Sequence, residues 1–360
     1  MSAVPTVAVT DDTPTRSAAA GYRHLGRRRL FLIAGMTVLL LLSCLVDVMT
    51  GPAMLTIRDV LGAVFDPSGA TPLNRTVVWT FRLPIAIFAL LVGSALGLAG
   101  AEMQTILDNP LASPYTLGIS SAAGFGAALA IVLGCGAVPW VGFLAIPTGA
   151  FLFAMLSSLA IWGVGRMKRG ATDPIILCGV ALLFLFNSAL TFLQYVASEN
   201  QLQAIVFWMF GSLQGATWPK LGILAFVLML VLPVFAAQAW KLTALRLGDE
   251  RARSLGIHVQ RIRLQTLILT SVLTATAVCF AGAIGFIGLI APHLARIMVG
   301  EDQRFFMPLS ALTGALLLSA ASIASKLVIA GAIFPIGIAT SAIGVPFFIV
   351  IVLGKKRTYW

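Results

Sequence analysis

The chain has 360 residues, of which 59% are hydrophobic and only 10% are charged, and it carries a formal net charge of +11. Soluble domains carry about 25% charged residues, so this composition excludes an ordinary globular enzyme. Apolar segments instead recur from about residue 30 to about residue 353, a pattern typical of a protein embedded in a membrane.

The first 28 residues are polar and end in a basic cluster at Arg27–Arg29. A signal peptide would place its apolar core nearer the start and end in a small-residue cleavage site. We therefore expect residues 1–28 to form a flexible cytoplasmic tail before a retained first helix. Residues 29–360 are expected to form one transmembrane domain.

Ten apolar segments are candidates for membrane spans, because a spanning helix needs roughly 20 apolar residues. They cover residues 30–49, 83–106, 116–134, 138–162, 174–196, 219–239, 264–284, 285–299, 305–325 and 333–353. The eighth is short for a full crossing. The predicted fold class is an all-α integral membrane protein with about ten transmembrane helices and both ends on one side.

Lysines and arginines divide unevenly between the two sides that these spans define, with nineteen on one side and five on the other. The five are Arg58, Arg75, Arg82, Lys220 and Lys326. Loops rich in Lys and Arg face the cytoplasm, so both termini are predicted to be cytoplasmic. The positive charge then reflects topology and does not indicate a nucleic-acid partner.

Two pairs of short strings suggest an internal repeat. AGAEMQTILDNPLA (99–112) resembles AGAIGFIGLIAPHLA (281–295), and the DPI at 173–175 resembles the FPI at 334–336. In the predicted topology the second span runs inward and the seventh runs outward, so the halves would form an inverted repeat, as in many transporters. Chance similarity between two Ala/Gly-rich helices is the alternative.

The segment 81–126 contains the first informative motif. Arg82 is predicted to stand at the outer end of a helix, and Pro84 suits its first turn. Glycines that allow neighbouring helices to approach closely follow at Gly93, Gly97 and Gly100. The string DNPLASP (108–114) predicts a turn in which Asn109 caps backbone groups.

Residues 244–264 are the longest polar stretch between spans and carry charges of both signs. Such a stretch is expected to form a short helix on the cytoplasmic face, with Gly248 and Gly256 at its ends; a solvated loop is the alternative. Further along, Gly285, Gly288 and Pro292 predict helix breaks inside the membrane. Broken helices are tolerated there only when they are buried in protein or line a cavity.

The fifth span contains Asn187, Thr191 and Gln194, whose spacings of four and three place them on one helical face. They are predicted either to line a pathway or to form interhelical hydrogen bonds. Asp47 and Glu102 are the acids inside candidate spans. An acid in the membrane suggests function by default, but both lie near predicted helix ends, which favours structural roles.

The sequence does not support a metal site, an ATPase site or ion-coupled transport on this chain. The three histidines are far apart, the four cysteines form no CxxC pair, and no GxxxxGK[ST] phosphate loop occurs. A metal site and an ATPase site on this chain are therefore not predicted. An ion-coupled secondary transporter would need ion sites near the membrane midplane, which two acids near helix ends serve poorly.

Together, RLP, NPLASP-x-x-LG, LG-x-x-x-ARSLG, GAIGFIGLIAPH and GVPFF resemble the FecCD family, the ABC importer permeases for iron–siderophores, haem and cobalamin. The resemblance covers roughly residues 30–357. It implies ten helices per subunit and a pair of permeases, identical or paralogous, around one pathway in the bacterial plasma membrane. It also implies two ATPase subunits inside, which hold the ATP and Mg, and a binding protein outside that delivers the substrate, here expected to be an iron(III)–siderophore-type chelate, with haem and cobalamin as alternatives.

Two cytoplasmic elements of the family match positions of this chain. The loop that seats on the ATPase is matched by Gly248, Asp249, Glu250, Ala252, Arg253, Leu255 and Gly256. The turn at Thr172 and Asp173 looks like the family's cytoplasmic gate. The resemblance implies no cofactor bound by this chain itself.

On the outer side, Arg82 and Lys326 look like the basic positions that meet acids on the binding protein. The family commonly has RLPR, whereas this chain has Ile85 at the last position. An outer contact is therefore expected to be missing or moved, for example to Arg75.

Overall fold

The computed structural model describes residues 13–51, 55–66, 68–135, 142–328 and 334–353. All regular secondary structure in these ranges is helical. In chain order the helices are α1 (Thr13–Met49), α2 (Ile57–Phe65), α3 (Pro72–Thr76), a π-helical segment (Val77–Arg82), α4 (Leu83–Leu107), α5 (Ile119–Val132), α6 (Gly142–Met167), α7 (Thr172–Val196), α8 (Glu199–Met209), α9 (Trp218–Leu245), α10 (Asp249–Ser254), α11 (Val259–Ala281), α12 (Ile287–Val299), α13 (Gln303–Leu327) and α14 (Ile336–Leu353).

Each of the ten predicted spans falls on one of these helices. Seven helical segments in the described ranges are long and apolar enough to cross a membrane. The shorter apolar helices lie at Ile119–Val132, Ile287–Val299 and Ile336–Val350. A helix of 13 residues, such as α12, is only about 20 Å long at 1.5 Å per residue, which is shorter than the roughly 30 Å hydrocarbon core of a bilayer.

Helix α1 extends into the predicted tail at 1–28. α1 begins at Thr13 and continues for 37 residues, so residues 13–28 are helical, and residues 1–12 lie outside the described ranges. Three alanines at 18–20 favour this helix. Helices α2 and α8 were not predicted from the sequence. Each nevertheless starts with a capping box, which pairs Thr56 with Asp59 in α2 and Ser198 with Gln201 in α8.

α4 is the central helix of the fold, with 20 of its 25 residues buried. It packs against α11, α12 and α13. A side chain at Gly93 or Gly97 would overlap the backbone of α13, and one at Gly100 would overlap the carbonyl of Gly288 in α12. The predicted close approach at these three glycines is confirmed.

The helices α4–α7 and α11–α14 show the same packing pattern. In each group a long helix precedes a short one of 13 or 14 residues. α4 packs on α13 as α11 packs on α6, and the short helices α5 and α12 each pack on the helix that follows them. The register taken from the AGA strings is nevertheless wrong, since 99–101 lies inside α4 whereas 281–283 straddles the end of α11.

Two non-helical segments interrupt the apolar helices. After Asp108, in the left-handed conformation, the Asn109 side chain accepts a hydrogen bond from the Leu111 N–H at 2.9 Å, as predicted. Between α11 and α12 the chain turns at Gly282 and Phe286, both with positive φ. The Ser212 N–H satisfies the Ala281 carbonyl at 2.8 Å, so this break is buried in protein as required.

The predicted helix breaks at Gly288 and Pro292 are wrong. Gly288 lies in the first turn of α12, and Pro292 lies inside the same helix without ending it. The break instead begins at Gly282, which supplies the positive φ that a side chain resists.

Candidate coupling site and translocation surface

The six-residue helix α10 has well-defined ends. Gly248 precedes it with φ of 96°, and Gly256 follows it with φ of 81°. At its end the Ile257 N–H donates to the Ala252 carbonyl at 3.1 Å and the Gly256 N–H donates to Arg253 at 2.9 Å. This pair of bonds is a Schellman cap, which confirms that Gly256 ends the helix.

α10 presents a charged face away from the chain. Glu250, Arg251, Arg253 and Leu255 are exposed, whereas Ala252 is fully buried in the core of the chain. Ala252, which was matched to the ATPase-seating loop, therefore packs inside its own chain. A helix resting on its own membrane domain turns one small residue inward, and here that residue is Ala252.

Arg263, in the second turn of α11, joins three separate elements. Its side chain is 5% exposed, and its Nη2 donates to Asp249 Oδ1 of α10 at 2.9 Å. Its Nε donates to the Ile106 carbonyl at the end of α4 at 2.6 Å. Its Nη1 donates to the Gly170 carbonyl, in the turn between α6 and α7. One buried guanidinium therefore connects α10, α4 and the turn that precedes α7.

That turn contains the predicted gate residues. Gly170 has φ of 80° and Arg169 has φ of 53°, and α7 begins at Thr172 with Asp173 exposed in its first turn. Gly170 also packs against Gln260 of α11. The structure therefore brings the predicted gate turn close to the predicted coupling helix, and the hydrogen bonds of Arg263 connect the two.

A second ionic cluster lies at the same end of the molecule. Arg246, at the end of α9, pairs with Asp108 after α4 and with Glu301 between α12 and α13. Arg296 also contacts Glu301 at 3.4 Å and donates to Gln104 of α4 at 3.1 Å. This cluster joins the ends of α4, α9 and α12.

Asp302 extends the ionic contacts to α1. Its carboxylate lies 3.5 Å from Arg29 and 2.8 Å from Arg304. The hydrogen bond from Arg304 holds the pKa of the Asp302 carboxyl below its ordinary value. The basic residues of α1 are thus connected to the start of α13.

The polar stripe of α7 lies on the outside of the chain. Asn187 and Thr191 are exposed, and Gln194 is half-buried. The Thr191 hydroxyl donates to the Asn187 carbonyl of its own helix at 2.9 Å. In the described residues these side chains make no hydrogen bond to another helix. The reading in which they hold helices of this chain together is therefore not supported.

Lys326 and Arg82 lie at the opposite end of the molecule from α10, and both are buried. The Lys326 side chain is 4% exposed and lies 2.7 Å from the carboxylate of Asp47, which is fully buried. Arg82 is 7% exposed and donates to the Thr50 carbonyl. Both cations are bound to α1 and the residue after it, so neither is presented on the surface, and their contact with a binding protein stays a prediction.

The helix boundaries explain the burial of Arg82. Helical structure runs without interruption from Pro72 to Leu107, so Arg82 lies inside a 36-residue segment rather than at its outer end. The exposed start of this segment carries Arg75 instead.

The two acids predicted for the membrane have different surroundings. Asp47 accepts from Lys326 and from the Ser322 hydroxyl at 2.9 Å, which is a structural role. Glu102 is fully buried in α4, and neither carboxylate oxygen has a hydrogen-bond partner among the described residues. Glu102 lies five residues before the end of α4, close to the helix end that was predicted.

The sequence pattern of the FecCD transport family matches residues 39–354. This match covers most of the chain. The chain belongs to the FecCD transport family. It is therefore the permease subunit of an ABC importer, a transport component without catalytic function, and such a permease works with an ATPase and a binding protein.

Two relatives in the family are named for different transported molecules. The hemin transport system permease protein HmuU of Yersinia pestis is 36% identical over 281 residues, covering 78% of this chain and 84% of that protein. The vitamin B12 import system permease protein BtuC of Salmonella typhi is 34% identical over 339 residues, covering 93% of this chain and 98% of that protein.

A solved structure has the same fold. It is an inward-facing conformation of an ABC transporter assigned to the metal-chelate type, and it matches with a TM-score of 0.78 and 30% identity. The match covers 89% of this chain and 98% of that one. The all-helical membrane fold of the FecCD permease is thus confirmed.

Sequence reasoning missed Arg263 as a connecting residue of this FecCD permease. The predicted span began at residue 264, which left Arg263 in a polar loop. α11 instead begins at Val259. Arg263 lies four residues after Val259 and four before Leu267, on the apolar stripe of the helix. The position of a charged residue on that apolar stripe could have indicated that the Arg263 side chain is buried.

Proposed function

We propose that this FecCD permease imports an iron(III)–siderophore-type chelate. The observation that carries the proposal is the family match together with relatives named for hemin and vitamin B12, in which a metal ion is enclosed by an organic ligand. Haem and cobalamin are the alternative cargoes in the same family. Membership of the family removes the ion-coupled secondary transporter.

The exposed stripe of α7 supports a chelated rather than a free ion. Asn187, Thr191 and Gln194 offer neutral hydrogen-bonding groups, which suit the organic periphery of a chelate whose metal charge is enclosed. In the described part of the chain no group of three His, Cys, Asp or Glu side chains is placed to hold a metal ion. We assign this stripe to the translocation pathway.

The membrane arrangement follows from charge and from the helix pattern. The ten apolar helices are proposed to cross the bacterial plasma membrane with both termini in the cytoplasm, because nineteen of the 24 basic residues lie on one side. The shared packing pattern of α4–α7 and α11–α14 supports an inverted repeat. Residues 1–12, with the start of α1, would form the cytoplasmic extension.

The exposed surfaces support proposed positions for the partners. Glu250, Arg251, Arg253 and Leu255 of α10 form the proposed ATPase contact, with Gly248 and Gly256 setting its ends. Two such ATPases would serve this permease and a second one, identical or paralogous, and would hold the ATP and Mg. Thr172 and Asp173 are proposed as the cytoplasmic gate.

The docking site for the binding protein is proposed to lie on α2 and α3. Arg58 and Arg75 are exposed there, in contrast to Arg82 and Lys326. Arg75 lines a 390 Å³ cavity together with Trp79. The two short helices α2 and α3 form an exposed cap. The Trp79 indole donates to the Ala63 carbonyl of α2 at 2.9 Å and holds this cap in place, so Arg58 and Arg75 are presented on an ordered surface.

Reconstitution with the ATPase and the binding protein in liposomes tests the proposal. ATP-dependent uptake is measured for ferric hydroxamate, catecholate and carboxylate siderophores, haem and cobalamin, each competing with the others. The proposal requires that one ferric siderophore be taken up in preference to haem and cobalamin. Preferential uptake of haem or cobalamin would assign the alternative cargo instead.

A further inference from the structure

Each of the three groups that Arg263 joins lies at or near the end of a different helix. Asp249 starts the proposed ATPase contact, Gly170 lies two residues before the proposed gate at Thr172, and Ile106 lies at the end of the central helix α4. The start of α11 also reaches this turn, because Gln260 packs against Gly170, but that contact does not involve a side chain of α10. Arg263 instead bonds to Asp249 of α10 and to the Gly170 carbonyl with one rigid group, so a displacement of α10 has a direct polar route to the turn before α7.

We infer that Arg263 is a positioning residue that transmits movement of α10 to the turn before α7. The inference rests on the proposed function, in which α10 contacts the ATPase and that turn gates the pathway. Arg263 contacts neither ATP nor the substrate. It acts by making Asp249 and the Gly170 carbonyl move as one unit against the fixed end of α4.

The chemistry of the contact requires arginine. The guanidinium is planar and carries five N–H donors in a fixed fork. Two of its nitrogens meet the two oxygens of Asp249, at 2.9 and 3.3 Å, while the same group also serves two main-chain carbonyls. A lysine ammonium is a point charge and cannot hold two elements at a fixed relative angle.

The surroundings favour a stiff connection. The Arg263 side chain is 5% exposed, so water competes little for its hydrogen bonds, whereas Asp249 is 37% exposed. Arg253 also approaches Asp249, at 3.5 Å, from the solvent side of α10. Asp249 thus lies between a buried arginine, which faces the membrane domain, and an exposed arginine on the proposed contact surface.

The first test measures the connection in the permease alone. Spin labels are placed at Ser254→Cys and Lys168→Cys, both exposed, after replacement of the four native cysteines. Labelled permease in nanodiscs should give a narrow distance distribution. Arg263→Lys and Asp249→Asn should broaden or shift it, and Arg251→Gln, an exposed arginine of the same helix, should not. An unchanged distribution in both variants would overturn the inference, whatever the cargo proves to be.

The second test separates coupling from folding. In liposomes with the ATPase and binding protein, Arg263→Lys, which lies outside the proposed ATPase contact, should still bind the ATPase and hydrolyse ATP. Uptake per ATP hydrolysed should fall about tenfold, within the usual range of coupling between sites. A folding defect would lower uptake and hydrolysis together and leave their ratio unchanged, which would refute the inference.

The two tests also distinguish the inference from the proposed function. If wild-type permease takes up no ferric siderophore, the proposed cargo fails, and uptake per ATP is then measured with the chelate that is transported. The spin-label distances do not depend on cargo. Asp249→Asn keeps the shape of the side chain, so it serves in the spin-label test, which uses the permease alone, where Arg263→Lys does not fold.

Discussion

α4 and α7 are both 25-residue apolar helices that were predicted as equivalent spans, yet their surroundings are opposite. α4 buries 20 of its residues, whereas α7 buries only Ile175, Gly179, Leu190 and Leu193. Hydropathy reports that a helix lies in a membrane but not whether its neighbour is protein, lipid or a pathway. We therefore expect substitutions around α4 to affect stability, and substitutions on α7 or the exposed surfaces to affect transport.

The largest effect is expected at Lys326, in α13, which packs on α4. Lys326→Met removes the ammonium that lies 2.7 Å from the fully buried Asp47 carboxylate. Removing one member of a buried pair costs about 3–5 kcal/mol. The free energy of unfolding, measured by SDS titration in mixed micelles, should fall by that amount.

The control combines Lys326→Met with Asp47→Asn. The double variant removes both charges and keeps a polar group beside Ser322, which donates to Asp47 at 2.9 Å. It should recover most of the lost stability. If the single variant is as stable as wild type, Lys326 does not hold α1 on α13.

The next effect is expected at Gly100, where α4 meets α12. A side chain there would overlap the Gly288 carbonyl. Overpacking against backbone costs about 3 kcal/mol, so Gly100→Val should lower the same unfolding free energy by about that amount. The matched control is Gly222→Val in α9, whose Cβ position meets no atom within 4 Å. Equal stability of the two variants would contradict the tight packing of α4.

The glycines of α4 show how far sequence could predict this fold. Gly93, Gly97 and Gly100 correctly indicated close helix contacts, and the ten apolar segments correctly located ten helices. The helix ends were less predictable, because the start of α1 is polar and the helical structure before Arg82 joins α4 without a break, so apolar runs alone do not mark these ends. α2 and α8 are short and amphipathic, so a search for long apolar runs passes over them.

The candidate site was predictable where backbone geometry decides and not where burial decides. Gly256 was correctly placed as a helix cap because only a few residue types accept positive φ. Ala252, Arg82 and Lys326 were assigned as contact residues by resemblance, and the structure buries Ala252, Arg82 and the side chain of Lys326. Burial depends on neighbours that are distant in sequence, such as Asp47 for Lys326.

A smaller effect on stability, but a clear one on transport, is expected at Gly256. Its φ of 81° is strained for a β-branched residue by about 1–3 kcal/mol, so Gly256→Val should displace the end of α10. The variant should still insert and bind loaded binding protein, and should lose substrate-stimulated ATP hydrolysis and uptake in liposomes. Gly256→Asn is the matched control, because asparagine tolerates positive φ. Wild-type coupling in Gly256→Val would place the ATPase contact elsewhere.

The exposed polar stripe of α7 is tested by cysteine labelling. Cysteines at Asn187, Thr191 and Gln194, in a background without native cysteines, should react with a small aqueous thiol reagent. Leu185→Cys is the control, since Leu185 is exposed but lies about 160° around the helix from Asn187 at 100° per residue, where lipid is expected. Labelling should be several-fold faster on the stripe. Protection of all three positions in resting and nucleotide-trapped states would assign the stripe to contact with another subunit.

The smallest effect is expected at Arg58 and Arg75, on the exposed cap formed by α2 and α3. Exposed ion pairs contribute about 0–1 kcal/mol each, so neutralising one arginine should weaken binding of the binding protein by less than about tenfold. Reversing both to Glu should weaken it more, because like charges then face each other. Affinity is measured by surface binding to permease in nanodiscs at two salt concentrations, since screening should reduce the difference. Arg253→Glu, on α10 at the opposite end, is the control and should leave affinity unchanged. Unchanged affinity in the double reversal would show that docking uses neither of the two exposed cations of this cap, and the proposal for α2 and α3 would then fail.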